Sequence, residues 1–182
     1  ARGYTKKILH FEYDSSFVVR GLMVDKQTGN ILKLDRHNHA GRVYHGRRLL
    51  DKRNRRKIYR REKIDFIPPR FALVDTLFSL PEMCIYADLV DYYTRHKLRL
   101  DPWKLFDDTR ECIDECHRDG SLKGIVVQDV AKFVEKDPLL ARTLHKLRSS
   151  GKKLFLLTNS YWPYSDCLMS YLLDNELAEY PS

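Results

Sequence analysis

Thr158, Asn159 and Ser160 form one group of side chains whose types and spacing could do chemistry. They follow an apolar run, KLFLL, and precede a predicted helix. Small side chains leave room for a ligand to approach the backbone, and hydroxyl, amide and backbone N–H groups before a helix all donate to an anion. The pattern therefore indicates a phosphoryl-binding turn. The alternative is that Thr158 and Ser160 cap the following helix, and the sequence leaves both interpretations open.

A second group lies on a predicted helix, where Arg110, Asp114 and His117 are spaced i, i+4 and i+7. At about 100° per residue, these side chains fall within an arc of roughly 60°. A cation, a carboxylate and an imidazole so aligned could bind a ligand that carries both donors and acceptors, and Lys123 adds positive charge just beyond the helix end. The alternative is an exposed Arg110–Asp114 salt bridge with a surface histidine. Spacing alone favours that alternative.

The four cysteines include no Cys-x-x-Cys pair, so we expect no disulfide scaffold. Cys112 and Cys116 could bind a metal together with His117 from one helix face. Free cysteine, however, is among the most buried residue types, and these two fall on the same side of the helix as Leu105. We therefore predict that Cys112 and Cys116 belong to the core.

The formal net charge of +8 comes from a single segment, residues 47–63. This segment contains ten Lys or Arg against two acidic residues, and the rest of the chain is balanced at 23 against 23. Such a segment suits a phosphate-rich partner or a mobile, solvated arm. Tyr59 is its only aromatic residue, which gives little support for stacking on single strands. We favour a surface arm and keep nucleic-acid binding as a minor alternative.

The chain elements that would position these groups can be predicted from local signals. Strand-like runs around residues 26–30 predict a hairpin that forms an outlying ribbon or sheet extension. Residues 68–97 look helical, with Pro81 near a helix start. A further helix should open at the pair Asp101 and Pro102 and close at Gly120.

The last third predicts a helix, a strand and another helix. Asp137 and Gly151 are start and stop signals for the first helix. Residues 152–157 form a short apolar run of the kind that is buried on both faces in a parallel sheet. This order is half of a doubly wound α/β unit, in which ligand sites lie at the carboxyl ends of strands.

Four phrases resemble successive segments of the cytosolic purine 5′-nucleotidase family of the haloacid dehalogenase (HAD) superfamily. They are YDSSFVVRGLMVDKQTGNILKLD, LVDTLFSLPE followed by LVDYY, TRECIDECHRDGSLKG, and GKKLFLLTNSYWPYSD. The resemblance implies an α/β fold with a HAD-like, Rossmann-type core, incomplete here, and an inserted, mainly helical cap domain. It divides the chain into residues 1–39 (part of the core, with the hairpin), 40–124 (cap, with the basic arm) and 125–182 (core, with the second HAD motif).

The resemblance also implies a function, the Mg²⁺-dependent hydrolysis of purine nucleoside 5′-monophosphates such as IMP and GMP. In that family's pattern, two sets of positions match residues of this chain. The phosphoryl group would be held by Thr158, Asn159, Ser160 and Lys123, and the purine nucleoside by Phe78, Arg110, Asp114 and His117.

The family's first motif, an aspartate pair that includes the nucleophile, would precede residues resembling GYTKKILHF, and its final lysine and metal-binding aspartates would follow Asn175. Neither motif is among these 182 residues. Asp14 and Asp25 do not replace the pair, because neither ends a parallel strand in an Asp-x-Asp arrangement, and Ser79 stands where relatives often show Asn. We therefore expect a segment of a longer protein that has no catalytic residue or metal ligand of its own and is inactive alone.

The alternatives are a catalytically inactive nucleotide-binding or regulatory module, and a nucleic-acid binder that uses residues 47–63. Composition at 43% hydrophobic residues suits one or two compact domains. No apolar run of membrane-spanning length and no signal-peptide pattern occur, so we expect a cytoplasmic protein with no membrane partner. The expected partner is the purine nucleotide substrate, and we allow for assembly into a homo-oligomer.

Overall fold

The computed structural model describes residues 3–60, 63–64 and 69–177, which fall into two compact units, Ala1–Asp114 and Glu115–Ser182. After a 3₁₀ helix at Lys6–His10, the elements in chain order are β1 Leu22–Asp25, β2 Asn30–Leu34, β3 Ala40–His45, β4 Arg48–Leu49, α1 Lys52–Ile58, β5 Phe71–Val74, α2 Ser79–Arg95, α3 Pro102–Arg118, α4 Ser121–Gln128, α5 Val130–Phe133, α6 Leu140–Ser149 and α7 Trp162–Leu173.

The first unit contains a five-stranded sheet in which all paired neighbours are antiparallel, in the order β4-β3-β2-β1-β5. β1 and β2 form the predicted hairpin, with Asp25 opposite Asn30 at the turn. The expectation of an outlying ribbon is wrong, because this hairpin is the centre of the sheet. The reason is the run of consecutive apolar residues in both strands, which buries both faces of the hairpin.

Alternate side chains of these central strands enter two separate cores, as the period of two in a strand requires. Val24 and Ile31 pack with residues of α2, including Tyr86, in one core. Met23 and Leu32 face the opposite core, which also contains Tyr59. The sheet is therefore covered on both sides within the first unit.

The segment before α2 differs from its prediction. Phe71–Val74 forms β5, whose Ala72 lies opposite Val24, so the helical interpretation is wrong for these four residues. Pro68 lies outside the described residues. The helix itself begins at Ser79, two residues before Pro81, as predicted. Four apolar residues are too few for their periodicity to distinguish a strand from a helix. The segment becomes a strand because it pairs with β1.

α3 starts as predicted, because the Asp101 carboxylate accepts from the backbone N–H groups of Trp103 and Lys104 at 3.1 Å each. Gly120, beyond its end, has a left-handed φ of 77°. The predicted burial of Cys112 and Cys116 is wrong, since both are exposed. The buried positions of α3 all lie in its first half: Leu105, Phe106, Asp108 and Thr109. All four cysteines are free in the structure.

In the second unit, α6 ends at its predicted stop signal but begins two residues later than predicted, with Leu139 as its N-cap. The Asp137 carboxylate accepts from the Leu139 N–H at 2.8 Å, and Gly151 has a left-handed φ of 83°. The buried strand predicted for residues 152–157 is wrong. This segment pairs with no strand in the described part of the chain, and the side chains of Phe155 and Leu157 are 83% and 88% exposed. A strand buried on both faces needs neighbouring strands, and the described residues of this unit form helices only.

The mixed α/β class is confirmed, and the HAD-like core and the three-part domain division stay predictions. A cavity of about 1040 Å³ lies between residues 151–156, α6 and α7, with a mainly apolar lining that includes Leu144 and Met169. The turn at 158–160 does not line it. Within the described ranges, no helix is both long and apolar enough to cross a membrane.

Candidate functional site

The turn at residues 158–160 is closed by its own side chain, because Thr158 Oγ1 accepts from the Ser160 backbone N–H at 3.0 Å. Neither residue caps the following helix: the N-cap of α7 is Tyr161, whose side chain makes no capping hydrogen bond. The capping alternative from the sequence is therefore wrong. Thr158 and Asn159 are exposed, so their hydroxyl and amide groups are open to a ligand.

Lys123 joins this turn from another element. Its Nζ donates to Ser160 Oγ at 3.3 Å and lies 5.1 Å from the ring centre of Tyr164. As expected, the residue lies just beyond the end of α3, and it belongs to the first turn of a further helix, α4, which begins at Ser121 directly after Gly120. Two of the predicted phosphate-binding residues are thus in direct contact within the second unit.

This arrangement gathers groups that donate hydrogen bonds. An ammonium, two hydroxyls, an amide and the backbone before a helix of 12 residues lie together at one turn. Helix N-termini and successive backbone N–H groups favour anions, and a nearby ammonium adds a full positive charge. The chemistry that this turn can perform is the binding of a phosphate or a similar oxyanion.

The first unit holds a different cluster, built on α2 and α3. Arg110 NH2 lies 2.9 Å from Glu82 Oε2, so Arg110 takes its ion pair with Glu82 rather than the salt bridge with Asp114 that spacing alone favoured. The Arg110 side chain is 41% exposed and Asp114 is exposed. Both therefore remain accessible to a ligand.

Glu82 is the part of this cluster that the sequence analysis missed. It is fully buried, and neither carboxylate oxygen accepts a hydrogen bond from the described residues, although Arg110 is within ion-pair distance. Burial raises the pKa of Glu82 to about 7, with Arg110 acting to lower it and Asp114 acting to raise it further. The available signal was an acidic residue among the apolar positions of α2.

Phe78 lies one helical turn before Glu82 at the N-terminal end of α2, and its ring is 71% exposed. An aromatic ring with this exposure suits stacking on a flat heterocycle. His117, half-buried, lies further along α3 and belongs to the second unit.

The described residues contain no group of three or more His, Cys, Asp or Glu side chains that could hold a metal ion. Asp25, the buried carboxylate nearest to a strand end, already accepts hydrogen bonds from Arg70, Tyr59 and Thr28 at 2.8–2.9 Å. These contacts make it a structural group rather than a free nucleophile.

The basic segment is not a mobile arm over its described residues. Arg47 binds both oxygens of Asp88 at 2.6 and 2.9 Å, and Arg55 donates to the Gly41 carbonyl. Tyr59, 5% exposed, donates to Asp25 and so holds α1 against the sheet. This burial could not be predicted from the local sequence, because an aromatic residue among arginines looks exposed.

Comparison with known proteins gives the family. The model of the 5′ nucleotidase family matches residues 1–182, and the chain belongs to that family. It is 36% identical over 182 residues to a 5′-nucleotidase domain-containing protein of Dictyostelium discoideum, covering 96% of this chain and 30% of the relative. It is 28% identical over 183 residues to the human 5′-nucleotidase domain-containing protein 2, covering 93% and 35%.

The corresponding rat protein is also 28% identical, over 181 residues, with 93% of this chain and 33% of the relative covered. The chain therefore spans about a third of the length of the curated relatives that it matches. The resemblance found in the sequence is confirmed at the level of the family. Membership of the HAD superfamily and preference for purines stay predictions.

Proposed function

We propose that this chain supplies the substrate-binding residues of an enzyme that hydrolyses purine nucleoside 5′-monophosphates, of the IMP or GMP type, to nucleoside and phosphate. The family and the names of the relatives support a nucleotidase hydrolase. The observation that carries the proposal is the hydrogen bond from Lys123 to Ser160, because it places a cation at a turn already rich in donors.

The phosphoryl group binds at this turn. Lys123 supplies charge, and Thr158, Asn159 and Ser160 supply hydroxyl and amide groups directed at the phosphoryl oxygens. Donors that are already in place stabilise charge that develops in the transition state, at up to about 3 kcal/mol each. The absence of a side-chain cap on α7 supports this role, because the Tyr161 side chain does not occupy the N–H groups in the first turn of the helix.

The nucleoside binds to the cluster of the first unit. The exposed ring of Phe78 stacks on the base, Arg110 donates to ring acceptors, and Asp114 accepts from a ring N–H. His117 contributes a further donor or acceptor. The exposure of Phe78 and Asp114 supports these roles, because a ligand can reach both without displacing core residues.

The nucleophile in this proposal is an aspartate outside residues 1–182, which forms a phosphoaspartyl intermediate that water then hydrolyses. Mg²⁺ belongs to the proposal for the whole protein, and the described residues offer no ligand set for it. A HAD-like core with a cap, a cytoplasmic location and assembly into a homo-oligomer belong to the same proposal, which includes no membrane or nucleic-acid partner.

The test is nucleotide binding to the full-length protein by isothermal titration calorimetry with GMP and IMP. We expect Lys123→Ala to weaken binding by about tenfold or more, since a hydrogen bond to a charged group contributes about 1.5–3 kcal/mol. Lys146→Ala on α6, an exposed lysine away from the turn, is the matched control and should bind as the unmodified protein does. Equal affinity of the Lys123→Ala variant would overturn the proposal.

A further inference from the structure

We propose that Glu82 is a positioning residue that holds the Arg110 guanidinium in the orientation required to bind the nucleobase. This inference rests on the proposed function, because it concerns the same nucleoside site. It assigns a role to a buried carboxylate that lies behind the ligand-accessible surface.

The contact itself has two sides. Glu82 is fully buried and its Oε2 lies 2.9 Å from Arg110 NH2, whereas the Arg110 side chain is 41% exposed. The inner end of the guanidinium is therefore fixed by charge, and its outer part reaches solvent. A guanidinium has five N–H donors in a rigid plane, so fixing one nitrogen also limits where the others point.

Asp88, another carboxylate of α2, pairs with Arg47, and this pair shows what a purely structural contact looks like. Arg47 donates to both oxygens of Asp88 and also contacts Asp14 and Cys84, so its donors are directed at protein partners. In the described chain, the Arg110 guanidinium has a single ion-pair contact, without an aligned hydrogen bond. Its donors are left for a ligand.

The burial of Glu82 argues in the same direction. A buried carboxylate without aligned hydrogen bonds is costly, and a well-packed neutral side chain would often stabilise the fold as well or better. Groups of this kind concentrate at functional sites, where they serve recognition rather than stability. Glu82 lies one turn after Phe78 on α2, the helix that also carries the predicted stacking ring at its N-cap.

The experiment is a double-mutant cycle in the full-length protein, with GMP affinity measured by calorimetry. Because burial raises the pKa of Glu82 to about 7, titrations are made at about pH 8, where the carboxylate is mostly ionised. Glu82→Gln keeps the shape and removes the charge. We expect it to weaken GMP binding about five- to tenfold, the effect of releasing one ordered, rotamer-rich side chain.

Combining Glu82→Gln with Arg110→Ala shows whether Glu82 affects GMP binding by positioning Arg110 or by stabilising the fold in general. If Glu82 acts through Arg110, the double variant binds GMP as weakly as Arg110→Ala alone. In turnover assays, Glu82→Gln should raise KM and leave kcat unchanged, because contacts to the base are the same in ground and transition states. Glu82→Asp keeps the charge and should bind GMP more tightly than Glu82→Gln does. It is the variant to compare with the unmodified protein if Glu82→Gln folds poorly.

Asp88→Asn is the matched control, since it removes the charge of another carboxylate on α2 that pairs with an arginine. It should lower thermal stability without changing GMP affinity. Unchanged GMP affinity of Glu82→Gln, or additive losses in the double variant, would overturn the inference while leaving the proposed function intact. If Arg110→Ala itself leaves GMP affinity unchanged, the proposed nucleoside site is wrong and the inference fails with it.

Discussion

Lys123 in α4 and Ser160 in the turn before α7 lie 3.3 Å apart, with the ammonium as donor. The two residues are 37 positions apart in sequence, so the hydrogen bond joins two separate elements of the second unit. The contact fixes an ammonium at the point where the backbone enters α7. A free oxyanion at this turn would therefore meet a donor set that is already assembled.

Ser160→Ala should weaken the binding of inorganic phosphate by about tenfold or less, because it removes one donor and also the acceptor that holds Lys123. The measurement is competition of phosphate with GMP in the full-length protein. Ser150→Ala is the control, since the Ser150 hydroxyl donates to the Leu147 carbonyl within α6. Equal competition by both variants would show that the turn does not bind phosphate.

Asp25→Asn should lower the free energy of unfolding by about 3 kcal/mol, because one buried carboxylate accepts from Arg70, Tyr59 and Thr28. Equilibrium unfolding in urea measures the change. Asp107→Asn is the control: its ion pair with Lys26 spans 3.6 Å with the carboxylate 57% exposed, so its loss should cost under about 1 kcal/mol. Similar losses for both variants would mean that the buried network contributes little.

Glu82 should make stability depend on pH. Its pKa rises from 4.5 to about 7 on folding, so the fold favours the protonated carboxyl. That contribution is complete below about pH 4.5 and declines as the pH rises through 7. The measurement is unfolding in urea at about pH 5 and pH 8. The free energy of unfolding of Glu82→Gln, taken relative to that of the unmodified protein, should be higher at pH 8 than at pH 5 by up to about 3 kcal/mol. A constant difference at the two pH values would contradict this.

Gly46→Ala should be strongly destabilising. Gly46 has a φ of 57°, and a Cβ there would lie 2.7 Å from the backbone N and Cα of Asp91 in α2. We expect a loss of about 2 kcal/mol or more from strain and overlap. Gly120→Ala separates the two causes, since Gly120 also has positive φ but open space around it, and should lose about 1 kcal/mol. Thermal unfolding of the two variants gives the comparison.

Helix ends and the hairpin could be predicted from sequence because their signals are local. Asp101 caps α3 through its own neighbours, and Gly151 follows α6 in a left-handed conformation. The position of the hairpin within the sheet depends on β5, which pairs with β1 from far along the chain. No local pattern contains that information.

The candidate site shows the same division. Residues of the turn at 158–160 were proposed from their types, and their role as a phosphate site stays a prediction. The hydrogen bond from Lys123 to Ser160 is seen only in the structure. Glu82 was missed because an acidic residue on a helix is usually solvated, and only the packing of α2 shows that this one is buried. The burial of Tyr59 was missed for a related reason, since its partner Asp25 is a strand residue distant in sequence.

The docking of α1 has an electrostatic consequence. Five of its seven residues are Lys or Arg and none is acidic, and Tyr59 fixes the helix end to Asp25. The positive charge is therefore stationary with respect to the sheet, which gives the first unit an electric dipole of constant direction. Anions in solution should be attracted electrostatically to this side of the first unit before any contact forms, and added salt should screen that long-range attraction.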